Sequence, residues 1–66
     1  MHIVNQRQKE ILRLLKRHKH LKTYEIAEIT GKSMRTIRTD LQFLREQFWQ
    51  IEIRHGRYNG GVYWHE

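Results

Sequence analysis

The chain has no cysteine and no proline, only four glycines in 66 residues, and no apolar run approaching a membrane span. A span needs ~20 consecutive apolar residues. Without cysteine there is neither a disulfide staple nor a thiolate metal site. The N-terminus carries no apolar signal region, so the sequence reads as a soluble, cytoplasmic and nucleoid-associated chain. Acidic residues are the scarce charged class: seven Asp/Glu stand against thirteen Lys/Arg, a formal net charge of +6. That imbalance suits a polyanionic partner, either nucleic acid or an acidic membrane surface. A chain this short buries only ~60% of its unfolded surface. One domain over residues 1–66 must therefore rest on a well-patterned core.

With proline absent, glycine alone punctuates the chain, at Gly31, Gly56, Gly60 and Gly61. Asn5 is a good N-cap and Gln8 stands in capping-box position. Ile11, Leu12, Leu14, Leu15 and His18 follow at helical spacing, which predicts a helix over about 5–18. Arg7, Lys9, Arg13, Lys16 and Arg17 fall on its other side, where plain solvation explains Arg13, Lys16 and Arg17. "HKHLK" has no helical period and reads as a connector anchored by a buried Leu21. Thr23 is the expected cap of a second helix over about 24–30, in which Glu25 suits the positive helix N-terminus. Ile26, Ala27 and Ile29 form its apolar stripe, and Gly31 supplies a left-handed stop. Ser33 caps a third helix over about 34–48, with Met34, Ile37, Leu41, Leu44 and Phe48 facing the core. After Trp49 the period falls to two. Ile51 and Ile53 alternate with Gln50, Glu52 and Arg54, and Val62 pairs with Trp64 across "GRYNGG", which predicts a hairpin over about 50–65. Trp49 and Trp64 are expected as lids on the core.

Two helices joined by a tight Gly turn, then a two-stranded hairpin, form a winged helix-turn-helix of the α+β class. A helix fits the major groove of B-DNA, and the polar face of the third helix suits that use. Arg35 and Arg38 can each bridge a guanine edge, while Thr36 and Thr39 offer hydroxyls and methyls to bases. Thr23, Tyr24, Lys32, Ser33 and Gln42 are placed for the sugar-phosphate backbone. Arg54, His55, Arg57, Tyr58 and Asn59 would grip flanking DNA from the wing. Asp40 is expected to be structural, paired with a neighbouring Arg or Lys, because a carboxylate near DNA is repelled.

"SMRTIRTDLQFL" resembles the recognition helix of DeoR-type bacterial repressors, through Ser33, Thr36, Ile37, Arg38, Asp40, Leu41 and Leu44. "IEIRHGRYNGGVYW" is similar to the wing of biotin-operon repressors and sugar-operon regulators. Arg7, Gln8, Ile11, Leu12, Leu15, Leu21, Ile26 and Ala27 match the family's first two helices. The resemblance implies a reader of double-stranded DNA in a transcriptional regulator of a bacterium, plasmid or phage, either stand-alone or one part of a longer protein. Two positions depart from the pattern. Thr39 stands where the family usually has a second Arg, and Phe48 or Trp49 where it usually has Gly.

Other classes fare worse. The five histidines show no metal-ligand spacing, and no carboxylate pair or pocket suggests an enzyme, a cofactor or a small-molecule substrate. The main rival is a protein-interaction module or homodimer built on the Phe48 and Trp49 region. A DNA-binding accessory factor of a mobile element is a second. RNA is disfavoured because the A-form major groove is too narrow for a helix, and membrane binding because the apolar stripes are needed for the core.

Overall fold

A computed structural model describes residues 4–56 and 60–66. The element order is α1 (Gln6–His18), β1 (His20–Leu21), α2 (Thr23–Thr30), α3 (Met34–Gln47), β2 (Ile51–Arg54) and β3 (Gly61–Trp64). Three helices stand against one antiparallel sheet of order β1-β3-β2. This is the α+β winged arrangement, with one addition. The hairpin has a third strand, because His20 pairs with Tyr63 and Leu21 with Val62. The expected connector is thus part of the sheet. Lys19 makes this possible: it ends α1 in the left-handed region at φ 66° and sends its backbone N–H to Leu15. Its carbonyl then accepts from the Trp64 N–H at 2.8 Å, so the chain passes straight from helix into strand.

The helix starts follow local chemistry. Asn5 and Gln8 form the reciprocal capping box on α1, with bonds of 3.0 and 2.7 Å. At α2 the cap is Lys22 rather than Thr23, which is the first helical residue. Glu25 explains the shift: its carboxylate accepts the Lys22 backbone N–H at 2.8 Å, fixing the start one residue earlier. Gly31 closes α2 at φ 71°, and the Ser33 hydroxyl accepts the Thr36 N–H to open α3. α3 ends at Gln47. Phe48 caps it in an extended conformation (φ −125°), a shape any residue adopts, so no glycine is required at this exit.

The core joins Ile11, Leu12 and Leu15 of α1, Ile26 and Ala27 of α2, and Ile37, Leu41 and Leu44 of α3 to Leu21, Ile51 and Val62 of the sheet. Ile29 is exposed, because it lies about 110° round α2 from the midpoint of Ile26 and Ala27. His18 is exposed as well, in a last turn whose basic side chains suit the helix C-terminus. Only Trp64 of the two tryptophans acts as a lid. It lies half-buried against Phe48, with the Lys16 ammonium 5.4 Å from its ring centroid. Trp49 is 73% exposed. Among the described residues, no helix is long and apolar enough to cross a membrane.

Candidate nucleic-acid interface

Gly31, Lys32 and Ser33 make the whole turn between α2 and α3, so the two helices form one compact unit. On α3 the exposed residues include Arg35, Arg38, Thr39 and Gln42, spaced i, i+3, i+4 and i+7, hence along one face. Gln42, expected against the backbone, stands at the C-terminal end of this stripe. Thr36 does not join it: it is half-buried to one side, its hydroxyl accepting from Ser33 at 3.0 Å. Thr39 is exposed, and its hydroxyl donates to the Arg35 carbonyl at 3.0 Å. What it offers outward is chiefly a methyl group and the lone pairs of that oxygen. Among the described residues, the guanidinium groups of Arg35 and Arg38 meet no carboxylate.

One acid lies within the stripe's span, and the fold withdraws it. Asp40 is 3% exposed and points away from the outer face into a forked ion pair with Arg7. Arg7 Nη2 donates to Asp40 Oδ1 at 2.9 Å, Arg7 Nε donates to Oδ2, and Gln8 Nε2 adds a bond of 3.2 Å. Arg7 hydrogen bonding holds the Asp40 carboxyl below the usual carboxylate range, against the opposing effect of burial, with Gln8 assisting. The partner is therefore in the first turn of α1, 33 residues away, and Arg7 is only half-exposed instead of solvated. With Asp40 turned inward, the middle of the α3 face is cationic.

Beside this face runs a cleft of about 490 Å³ between the start of α2, α3 and the base of the wing. It brings together Thr23, Tyr24, Arg38, Gln42, Arg54 and His55 over a floor that includes Met34, Leu41 and Ile53. It also contains Lys22, which sequence reading left out. The ammonium of Lys22 reaches the Gly60 carbonyl at 3.5 Å, spanning from the α2 start to the wing. Its position just ahead of the Thr-Tyr-Glu start was the available signal. Arg35, Thr36, Thr39, Lys32 and Ser33 do not line the cleft. Arg57, Tyr58 and Asn59, expected at the wing tip, lie outside the described residues.

Arg54 is more constrained than a free wing cation. Its guanidinium bonds both oxygens of Glu52, at 2.8 and 3.2 Å, and lies 4.3 Å from the Tyr63 ring centroid. Tyr63 in turn stacks on His20 at 4.1 Å, nearly parallel. His65 Nε2 also meets Glu52, at 2.6 Å. Arg54 above all, then His65, pulls the Glu52 carboxyl down to about 2. The pair is solvent-exposed, so it orients Arg54 more than it stabilises the fold. Gly61 leaves room for the stack, since its missing Cβ would stand 2.6 Å from His20 Nε2.

A profile of the DeoR-like helix-turn-helix domain matches residues 7–60, from the Arg7 that anchors Asp40 to the residue before β3. The chain belongs to the DeoR-like helix-turn-helix family. That membership makes it a DNA-binding domain of the kind used in transcription regulation. No curated protein and no solved structure matches it. Among the described residues, no group of three His, Asp or Glu is arranged to hold a metal ion.

Proposed function

We propose that this domain binds double-stranded DNA sequence-specifically and regulates transcription in a bacterium, plasmid or phage. The observation that carries the reading is the α3 face: Arg35, Arg38, Thr39 and Gln42 exposed in one row, with Asp40 drawn inward. α3 enters the major groove, where Arg35 and Arg38 reach guanine edges and Thr39 meets base or methyl. Thr36 lies to the side and acts with Ser33 and Lys32 on the phosphates next to the turn. The adjacent strand crosses the cleft, where Lys22, Thr23, Tyr24, Arg54 and His55 face its backbone. Arg57, Tyr58 and Asn59, outside the described residues, are assigned to flanking DNA on their residue types alone.

Selection from a pool of randomised duplexes tests this. The wild-type chain should enrich a defined sequence of a few base pairs. Arg35→Ala and Arg38→Ala should each relax the preference at one position, costing ~1–3 kcal/mol of discrimination. Unchanged preferences in both variants would refute the placing of α3 in the groove. A second reading keeps only half of the expected Phe48 and Trp49 surface: Trp49 stands 73% exposed beyond the end of α3, whereas Phe48 packs on the core beside Trp64. There a second copy or a protein partner would dock. Sedimentation of the DNA-free chain, with Trp49→Ala as control, tests for self-association.

A further inference from the structure

Asp40 is the one buried charged or polar side chain among the described residues, and it sits inside the helix proposed to read DNA. Burying a carboxylate is costly unless both oxygens find partners. Here both do, and every partner comes from the first turn of α1: Arg7 forks onto Oδ1 and Oδ2, and Gln8 adds a bond to Oδ1. Gln8 is itself held by its reciprocal capping box with Asn5. A continuous polar path therefore runs from the Asn5 cap through Gln8 to the middle of α3.

The path matters because of where α1 lies. Its main packing is against α2, β3 and β1, whereas α3 packs on α2 and β2. The long Arg7 side chain spans from one helix to the other. It meets α3 at Asp40, about 150° round the helix from the exposed row of Arg35, Arg38, Thr39 and Gln42, so it grips α3 from the side opposite the reading face. The apolar stripe of Ile37, Leu41 and Leu44 packs α3 without directional bonds, and the Arg7 fork onto Asp40 adds to it a contact fixed in direction as well as distance. A helix with its side chains has a radius of ~5–6 Å, so turning it by about 10° moves a side-chain tip by about 1 Å. Functional groups need to be held within ~0.5 Å and 10–20° to work.

We infer that Arg7 and Gln8, through Asp40, are positioning residues that fix the rotational setting of α3 and thereby set sequence discrimination without touching DNA. The inference rests on the reading of α3 given above. It separates two quantities that a plain loss of folding would move together. Non-specific affinity comes from charge and tolerates small rotations, whereas base discrimination needs the arginine forks aimed at their edges.

The test compares wild type with Arg7→Lys and with the paired change Arg7→Met, Asp40→Leu. Each is titrated against the duplex best enriched by wild type and against a scrambled duplex. The paired change leaves net charge unaltered and replaces the ion pair with apolar volume, which proteins often tolerate. Circular dichroism establishes that each variant is folded at the temperature used. The expected result for the paired variant is a selected-to-scrambled affinity ratio reduced about tenfold, the size of one lost base contact. Its affinity for the scrambled duplex and its salt slope should remain close to wild type. Arg7→Lys should show a smaller reduction, since an ammonium cannot fork onto both oxygens. It also carries the test if the paired variant fails to fold. Undiminished discrimination in folded variants refutes the inference alone. A wild-type chain with no sequence preference refutes the reading of α3 and the inference together.

Discussion

Gly61 opens β3 at φ 138°, and a Cβ there would stand 2.6 Å from His20 Nε2 and 3.2 Å from the Leu21 carbonyl oxygen. Gly61→Ala therefore imposes two costs. The backbone is in a region that residues with a side chain rarely adopt, worth ~1–3 kcal/mol. The His20 ring must also swing away from its stack on Tyr63, a contact worth ~0.5–1.5 kcal/mol. Together they remove roughly 2–4 kcal/mol. A domain of this size has only ~3–10 kcal/mol in all, at ~0.05–0.15 per residue. Each kcal/mol shifts the melting point of a small domain by ~4–8 °C, so Gly61→Ala should melt at least about 8 °C lower. Far-UV circular dichroism melts read this directly. His20→Ala in the Gly61→Ala background relieves the ring clash but not the backbone strain, so it should restore only part of the loss. A Gly61→Ala melting point within about 2 °C of wild type would refute both the strand geometry and the His20 placement.

Acid titration of stability should expose Asp40. Its folded carboxyl lies below its unfolded value of ~3.9, so the unfolded chain binds more protons between the two. Its stabilising effect is complete above that unfolded value and is lost as pH falls through the folded one. Asp40→Asn should flatten this part of the profile in urea melts from neutral to acid pH, and an unaltered profile would contradict the pairing. Ile37→Ala removes a fully buried side chain beside the α3 row. It should cost ~2–5 kcal/mol by urea denaturation, enough to leave the domain largely unfolded at the upper end. Trp49→Ala should shift stability by no more than ~0.5 kcal/mol, because the side chain is mostly in water. A larger loss would mean that Trp49 packs on the core after all.

Legibility in the sequence followed range. The third helix could be read in detail because Met34, Ile37, Leu41 and Leu44 repeat over several turns and Gly31 and Ser33 mark its start. The β2–β3 hairpin could be read from its alternation. β1 could not, since two residues carry no measurable period and His20–Leu21 became a strand only by meeting Tyr63 and Val62. The role of Asp40 was legible in kind, as a structural acid, but its partner was not. Arg7 stands 33 residues earlier, and only the tertiary fold brings it across. The tie between Glu52 and Arg54 was available in principle, because alternation puts both on one strand face. Trp49 misled for a different reason: hydrophobicity alone cannot tell a lid from a side chain left in water at a helix exit.

The most direct test of DNA binding by this face is a fluorescence-anisotropy titration of the wild-type chain with labelled duplex DNA across several salt concentrations. Lys22, Lys32, Arg35, Arg38 and Arg54 are the described cations assigned to the interface. Lys22, Lys32 and Arg54 are the three placed on phosphates, and three such contacts imply that log affinity falls with log salt at a slope of about −2.7. That steepness, reduced affinity after Arg35→Ala with Arg38→Ala, and unequal competition by duplexes of different sequence are the results expected. A shallow salt dependence, with affinity indifferent to both substitutions and to sequence, would contradict the assignment of the α3 face to DNA.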